Sequence, residues 1–422
     1  MLKYIQRPLG ATTVNVARMG QERAERARQV MRKHGIPALL ATGARNIVYL
    51  TGYGATREIW RQAQYTLFFA EDKAVVFAQD SIARVNSELF PGSASWHWRT
   101  SRNWMQGSIG PGAAQKEAKL FAQEIHQELS ERGLAGERLG VACFDDLGKT
   151  ALREEHLTIE DGWPLLMEAN TIKTQDEIAC LAEAAAITEA GLQAVKENLK
   201  PGVTPGEVGR IARIALDGAG SQTPFAVIMA GPLATWRIGG RADYRIEKGD
   251  LVIVCLCCNS YMGYASCVYR TFIAGREPNA KEKDMYNRLR DRVTAAIEAT
   301  KVGNTTADAA KAFPPASARA LTADGTKTFK DEIEQLAMEI GHGLGLVADP
   351  PALQTYLPPM VQREWSLEFP QPFEKGMVIA YESHEGEPGI GGVRLEHMVV
   401  VTDDGPEIMD FWPGDEITVA GV

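Results

Sequence analysis

Cysteine, histidine and glutamate recur in the second half of the chain at spacings that could assemble one site. Residues 251–259 alternate as a β-strand, which puts Leu251, Ile253, Cys255 and Cys257 on one face. A turn at Met262-Gly263 leads to a second strand carrying Cys267 and then Arg270-Thr271-Phe272. Downstream come Gly341-His342-Gly343-Leu344-Gly345, then Gly376-Met377-Val378 with Glu382 and His384, and finally Gly391-Gly392-Val393-Arg394-Leu395-Glu396-His397.

Glu382 and Glu396 follow apolar strands, where unpaired carboxylates are costly to bury. With no metal between them, mutual repulsion raises one pKa and leaves the other ionised, so like residues supply an acid and a base. Cys255 and Cys267 admit three readings: zinc ligands, inert packing, or a nucleophilic or redox thiol activated by a cation such as His342 or Arg394. Arg394 either pins a substrate carboxylate through bidentate hydrogen bonds or pairs with a structural one. His342 is a site residue or a buried turn histidine, and His384 is a further substrate-binding candidate. Cys143, Cys180, Cys257 and Cys258 read as packing residues.

These residues must be positioned by a chain of 422 residues, long enough for two cores. Hydrophobic residues at 45% and charged residues at 23% match ordinary globular protein. A net charge of -9 without any basic stripe argues against a nucleic-acid partner. The first ten residues lack the pattern of a signal peptide, and no run of about 18 apolar residues offers a membrane span. The expectation is a cytoplasmic protein whose six cysteines are free thiols or metal ligands.

The first half predicts an α/β domain. A helix over 21–33 ends at Gly35, strands follow over 38–41, 65–70 and 73–78, a helix over 116–132 closes at Gly133, and a strand lies over 140–144. The boundary is expected near residue 165, ahead of a long Ala-rich helix over 174–200, giving domains 1–165 and 166–422. Within the second, Lys200-Pro-Gly-Val-Thr-Pro-Gly-Glu matches Lys301-Val-Gly-Asn-Thr-Thr-Ala-Asp at an offset of 301 − 200 = 101 residues. In each copy a helix breaks at Gly and a Thr three residues before an acid starts another, as a capping box does. The match predicts an internal pseudo-twofold duplication.

The ordered segments resemble the pita-bread family of methionine aminopeptidase, aminopeptidase P, prolidase and creatinase over residues 170–410, and Asn46-Ile-Val-Tyr-Leu-Thr-Gly resembles its creatinase-type N-terminal domain. The resemblance implies an α/β N-terminal domain and an α+β pita-bread domain. It also implies five ligands for two divalent metals, which fall on Cys255, Cys267, His342, Glu382 and Glu396. Both aspartates of the family's set are thus cysteines here. Thiolates favour zinc over hard ions, so the expected cofactor is none or a single Zn. The two histidines that handle the tetrahedral intermediate in proline-cleaving relatives fall on Ile238 and Asp349. Glu396-His397 resembles creatinase, which acts without metal, whereas Trp236 after a Gly-Pro turn resembles the family's dimethylsulfoniopropionate lyases.

The resulting expectation is a homodimeric hydrolase of a non-peptide C–N bond in a small, nitrogen-containing carboxylate compound, similar to creatinase and ectoine hydrolase. His342, Glu382 and Glu396 are its catalytic residues, and Arg394, Trp236 and His384 hold substrate. The alternatives are a lyase acting on a small zwitterion, a non-catalytic binding scaffold, and a divergent Xaa-Pro peptidase.

Overall fold

The structure, a computed structural model, describes residues 2–5, 14–52, 64–78, 96–104, 109–232, 234, 241–315, 339–346, 357–387 and 389–422. The chain divides into two compact units: Val14–Asn170, and Met1–Thr13 together with Thr171–Val422.

In the first unit, alternating apolar strands and amphipathic helices build a six-stranded sheet. Its order is Trp96–Thr100, Ala74–Ala78, Tyr65–Phe69, Ala38–Thr42, Arg138–Ala142, Thr158–Asp161. The central strands are buried along their whole length, as a sheet covered on both faces requires. The Val16–His34 helix starts at an Asn15 cap and stops at Gly35, whose φ of 64° is the left-handed C-cap that glycine adopts without strain. It begins five residues before the predicted start. Aromatic packing fills the core, with Tyr65 stacked on Phe77 at 4.6 Å and edge-on to Phe121 at 5.2 Å.

The expected boundary at 165/166 moves to 170/171. Helix Trp163–Thr171, up to Asn170, belongs to the first unit, because the Tyr49 hydroxyl donates to the Ala169 carbonyl at 2.6 Å and Lys33 and His34 each meet Glu168 at 2.7 Å. The extreme N-terminus departs further. Lys3–Tyr4 pairs in parallel with Gly405–Ile408 and so forms an edge strand of the second unit.

The second unit repeats one element series. Helix Gln175–Asn198, helix Pro205–Gly218 and the antiparallel strands Leu251–Cys255 and Tyr269–Ala274 are followed by helix Ala280–Ala299, helix Thr306–Ala310 and the antiparallel strands Val378–Glu387 and Gly391–Thr402. Thr204 with Glu207 and Thr305 with Asp308, 101 residues apart, form the two matching capping boxes. The Gln175–Asn198 helix is long and apolar enough to cross a bilayer, but 61% of its apolar window is buried within the fold. Here it is a core helix.

Two sheets carry the site. One has the order Lys3–Tyr4, Gly405–Ile408, Gly391–Thr402, Val378–Glu387, Glu339–Gly343, Leu357–Gln362, and the other the order Thr418–Ala420, Tyr269–Ala274, Leu251–Cys255, Val227–Ala230. Thr271 ties them together. Its hydroxyl donates to the Arg394 carbonyl and accepts from the Arg394 amide, both at 2.8 Å.

Candidate active site

Register brings five of the candidate side chains to one face of the larger sheet. His342 and Ala380 pair directly, as do Glu382 with Glu396 and His384 with Arg394. Directly opposed residues share a face, and i, i+2 residues along a strand do too. His342, Glu382, His384, Arg394 and Glu396 therefore project together. Glycines beside His342 permit this approach, since a Cβ on Gly343 would collide with the carbonyl oxygens of Leu357 and Pro358.

The thiols come from the other sheet and the turn after it. The first strand ends at Cys255, short of the predicted residue 259, because Cys258 takes a φ of 64° and turns the chain. Cys257 thereby leaves the alternation of the strand. Its Sγ lies 2.9 Å from Cys267 Sγ, 3.4 Å from Cys255 Sγ and 3.8 Å from Glu396 Oε2. Cys257, read from sequence as a packing residue, thus stands among two other thiols and a buried carboxylate. Cys255 instead faces Tyr269 across the strand pair, and the Arg394 guanidinium stacks on that ring at 3.6 Å.

Arg394 and Glu382 form a buried ion pair. Of the two sequence readings of Arg394, the structural pairing is thus made by one of its nitrogens. Its Nε and Nη1 are buried with no hydrogen-bond partner among the described residues. Glu396 Oε1 is in the same condition, with His342 Nε2 at 3.6 Å, beyond hydrogen-bond reach. His384 is half-buried. Trp236, Ile238 and Asp349 lie outside the described residues.

Burial and charge pull these groups apart. Burial, then repulsion from Glu382, raises the Glu396 carboxyl above its ordinary value. Burial alone would lower the His342 imidazole, but the adjoining Cys267 thiol and the Glu396 carboxylate hold it well above its usual range. Burial and the neighbouring Cys255 and Cys267 push the Cys257 thiol up. Burial acts the same way on Cys255, yet hydrogen bonds from Cys257 and Tyr269 and the charge of Arg394 bring its thiol below the ordinary value.

Behind Glu396 lies a polar network that the sequence did not disclose. Arg270 donates to the Glu396 carbonyl at 2.5 Å and to Asp410 at 2.5 Å, and Asp410 also meets His397 Nδ1 at 2.8 Å and the Met398 amide at 2.7 Å. His397 is thereby a support for the strand that carries Glu396. Only its place next to Glu396 in the sequence hinted at this.

Residues 179–403 match the model of metallopeptidase family M24, and residues 23–146 match the creatinase/prolidase N-terminal domain. The chain belongs to the M24 family, with a creatinase-type N-terminal domain preceding a pita-bread domain. It is 26% identical to an Xaa-Pro dipeptidase of Pyrococcus furiosus over 67% of this chain and 74% of that one. Among solved structures it resembles an Xaa-Pro dipeptidase from Bacillus anthracis (TM-score 0.71, 22% identity, 95% of this chain and 99% of that one). It also resembles the prolidase from Pyrococcus furiosus (TM-score 0.67, 21% identity, 92% and 99%). These relatives are named as dipeptidases and prolidases, where the sequence had suggested creatinase and ectoine hydrolase.

The donor set does not fit a pair of hard ions. A carboxylate bridges two ions with two oxygens, and at both aspartate positions this chain offers one sulfur, on Cys255 and on Cys267. Glu382 is occupied by Arg394. Two smaller groups converge instead, Cys257 with Cys267 and Glu396, and His342 with Glu382 and Glu396, each with donor atoms within 4.8 Å of one another.

Proposed function

We propose that the chain hydrolyses a non-peptide C–N bond in a small, carboxylate-bearing nitrogen compound, a specialised form of the hydrolase chemistry of its family. The observation that carries this is the pair of buried Arg394 N–H groups and the buried Glu396 Oε1, all without hydrogen-bond partners among the described residues and all on one sheet face. Buried polar groups in folded proteins are nearly always paired. A substrate whose carboxylate meets Arg394 and whose reacting carbon lies near Glu396 supplies those partners. Glu396 takes a proton from the attacking water as the new C–O bond forms. His342, whose imidazole is held well above its usual range, delivers a proton to the departing nitrogen as the C–N bond breaks.

A second reading, a divergent Xaa-Pro dipeptidase, is supported by the names of the relatives. Ile238 and Asp349 stand where such peptidases carry histidines, which weighs against it. The test is turnover in ¹⁸O-labelled water against two sets of compounds, Xaa-Pro dipeptides and amidine or guanidino carboxylates. Label in the product of the second set supports the proposal, cleavage confined to Xaa-Pro dipeptides establishes the second reading, and an unlabelled alkene sinks both. Glu396→Gln should lower the rate about a hundredfold to ten-thousandfold with the fold intact, while Cys143→Ser leaves it unchanged. A loss under about tenfold would remove Glu396 from the chemistry.

A further inference from the structure

Two buried thiols take no part in the proposed hydrolysis, and the backbone sets them opposite each other. The register that pairs Cys255 with Tyr269 continues past the end of the first strand. The Leu256 amide donates to the Val268 carbonyl at 3.0 Å, and the Cys258 amide donates to the Ser266 carbonyl at 2.7 Å. Between these two hydrogen-bonded pairs, Cys257 and Cys267 form a directly opposed pair of the non-hydrogen-bonded kind, in which side chains approach most closely. Such a pair has Cα atoms about 4.5 Å apart, inside the roughly 4.4–6.8 Å that a disulfide spans. The two sulfurs lie 2.9 Å apart. That is closer than the roughly 3.5–4.0 Å of apolar atoms in contact, yet outside the ~2.05 Å of a disulfide. Cys255 Sγ also approaches Cys257, at 3.4 Å, but two residues along one strand set Cα atoms about 6.6–6.8 Å apart, at the far limit of that span.

We propose that Cys257 and Cys267 are a reversible thiol–disulfide switch, closed by a small hydroperoxide, that turns the neighbouring site off; the loss of activity rests on the hydrolytic reading of that site. One thiol loses its proton to solvent, and its sulfur attacks a peroxide oxygen as the O–O bond breaks. The other peroxide oxygen leaves as water or an alcohol, and the attacked cysteine becomes a sulfenic acid. The facing sulfur then forms the S–S bond and displaces water from it. The two thiols give up two electrons and the hydroperoxide takes them. Cys257 and Cys267 are 4% and 1% exposed, so a small oxidant reaches them through local opening and a bulky one is excluded. Once the sulfenic acid forms, its partner is already held against it, and the second step needs no further search. Closure removes the Cys257 thiol that faces Glu396 Oε2 at 3.8 Å and the Cys267 thiol that adjoins His342. Both proton-transfer groups thus lose a neighbour at once.

The test uses full-length protein carrying Cys143→Ser, which removes the exposed thiol. Reduced protein is treated with hydrogen peroxide and denatured, and its thiols are counted. The count should fall by two and recover with dithiothreitol. Met262 lies between the two cysteines, so cyanogen bromide cleavage there should give fragments that stay joined until reduction. Cys257→Ser and Cys267→Ser should each abolish that link, and Cys255→Ser should keep it. Turnover of guanidino carboxylates or Xaa-Pro dipeptides, whichever the reduced enzyme cleaves, should drop roughly tenfold or more on oxidation and return on reduction. An unchanged thiol count, or a link that survives in Cys257→Ser or Cys267→Ser, would overturn the pairing. A disulfide that forms while turnover stays unchanged would overturn the switch. If either serine variant fails to fold, the thiol count and the Met262 fragments of the parent protein still decide. The count is read without substrate, so a failure of the disulfide and a failure of the hydrolytic reading are told apart.

Discussion

Glu396 and Asp410 are both buried carboxylates, and their surroundings drive them in opposite directions. Burial and Glu382 raise Glu396. Burial would raise Asp410 too, but the charges of His397 and Arg270 and a hydrogen bond from the Met398 amide hold it down at about 2. A carboxyl whose folded pKa lies below its unfolded value of 3.8 adds stability above that value and loses it as pH falls through the folded pKa. The difference is worth about 2 kcal/mol. Asp410→Asn should therefore lower the urea midpoint most at pH 5–7, and the gap to wild type should narrow as pH falls toward 3. A gap independent of pH over that range would show that Asp410 contributes packing alone. Sequence spacing singled out Glu396, His342 and Glu382 because each stands in a short, distinctive segment. Asp410 and Tyr269 carry no such mark, since their role depends on partners 12 to 140 residues away in the chain.

At the scale of elements, the site is a junction of two sheets rather than a single strand pair. Thr271 makes the junction through two hydrogen bonds to the Arg394 backbone. Thr271→Val keeps the shape but leaves a buried N–H and C=O unpaired, at a cost of about 1–3 kcal/mol. For a unit of this size that lowers the melting temperature by roughly 2–10 °C. Thr271→Ser, which keeps the hydroxyl, should recover most of the loss, and an equal drop in both variants would mean that the missing methyl matters more than the hydrogen bonds. The strands themselves were legible from alternation and from the repeated capping boxes. Where the first strand ends was not, because Cys258 at a positive φ is a conformation that a non-glycine residue rarely adopts. That one turn decides which cysteine meets Glu396.

The division of the whole molecule was legible only approximately, because contacts between distant segments leave no periodic trace. Apolar patterning announced two cores, but nothing in residues 3–4 announces their pairing with residues 407–408. The Ile5 amide donates to the Ile408 carbonyl at 2.9 Å, Lys3 Nζ reaches the Asp404 carbonyl at 2.8 Å, and Tyr4 stacks on Phe411 at 6.0 Å. The strand so covered leads directly to Met409 and Asp410, the latter anchoring His397 beside Glu396. Deleting residues 2–5 should thus loosen the edge of the second unit and leave the first unaffected. Each lost hydrogen bond contributes about 0.5–1.5 kcal/mol, so the amides of Glu407 and Ile408 should exchange with solvent roughly tenfold faster or more. The amides of Ala38–Thr42, central in the other unit, serve as the internal reference and should keep their protection. Faster exchange in both units would mean that the segment stabilises the whole chain, and no change in either would show that the edge strand contributes nothing to holding Asp410.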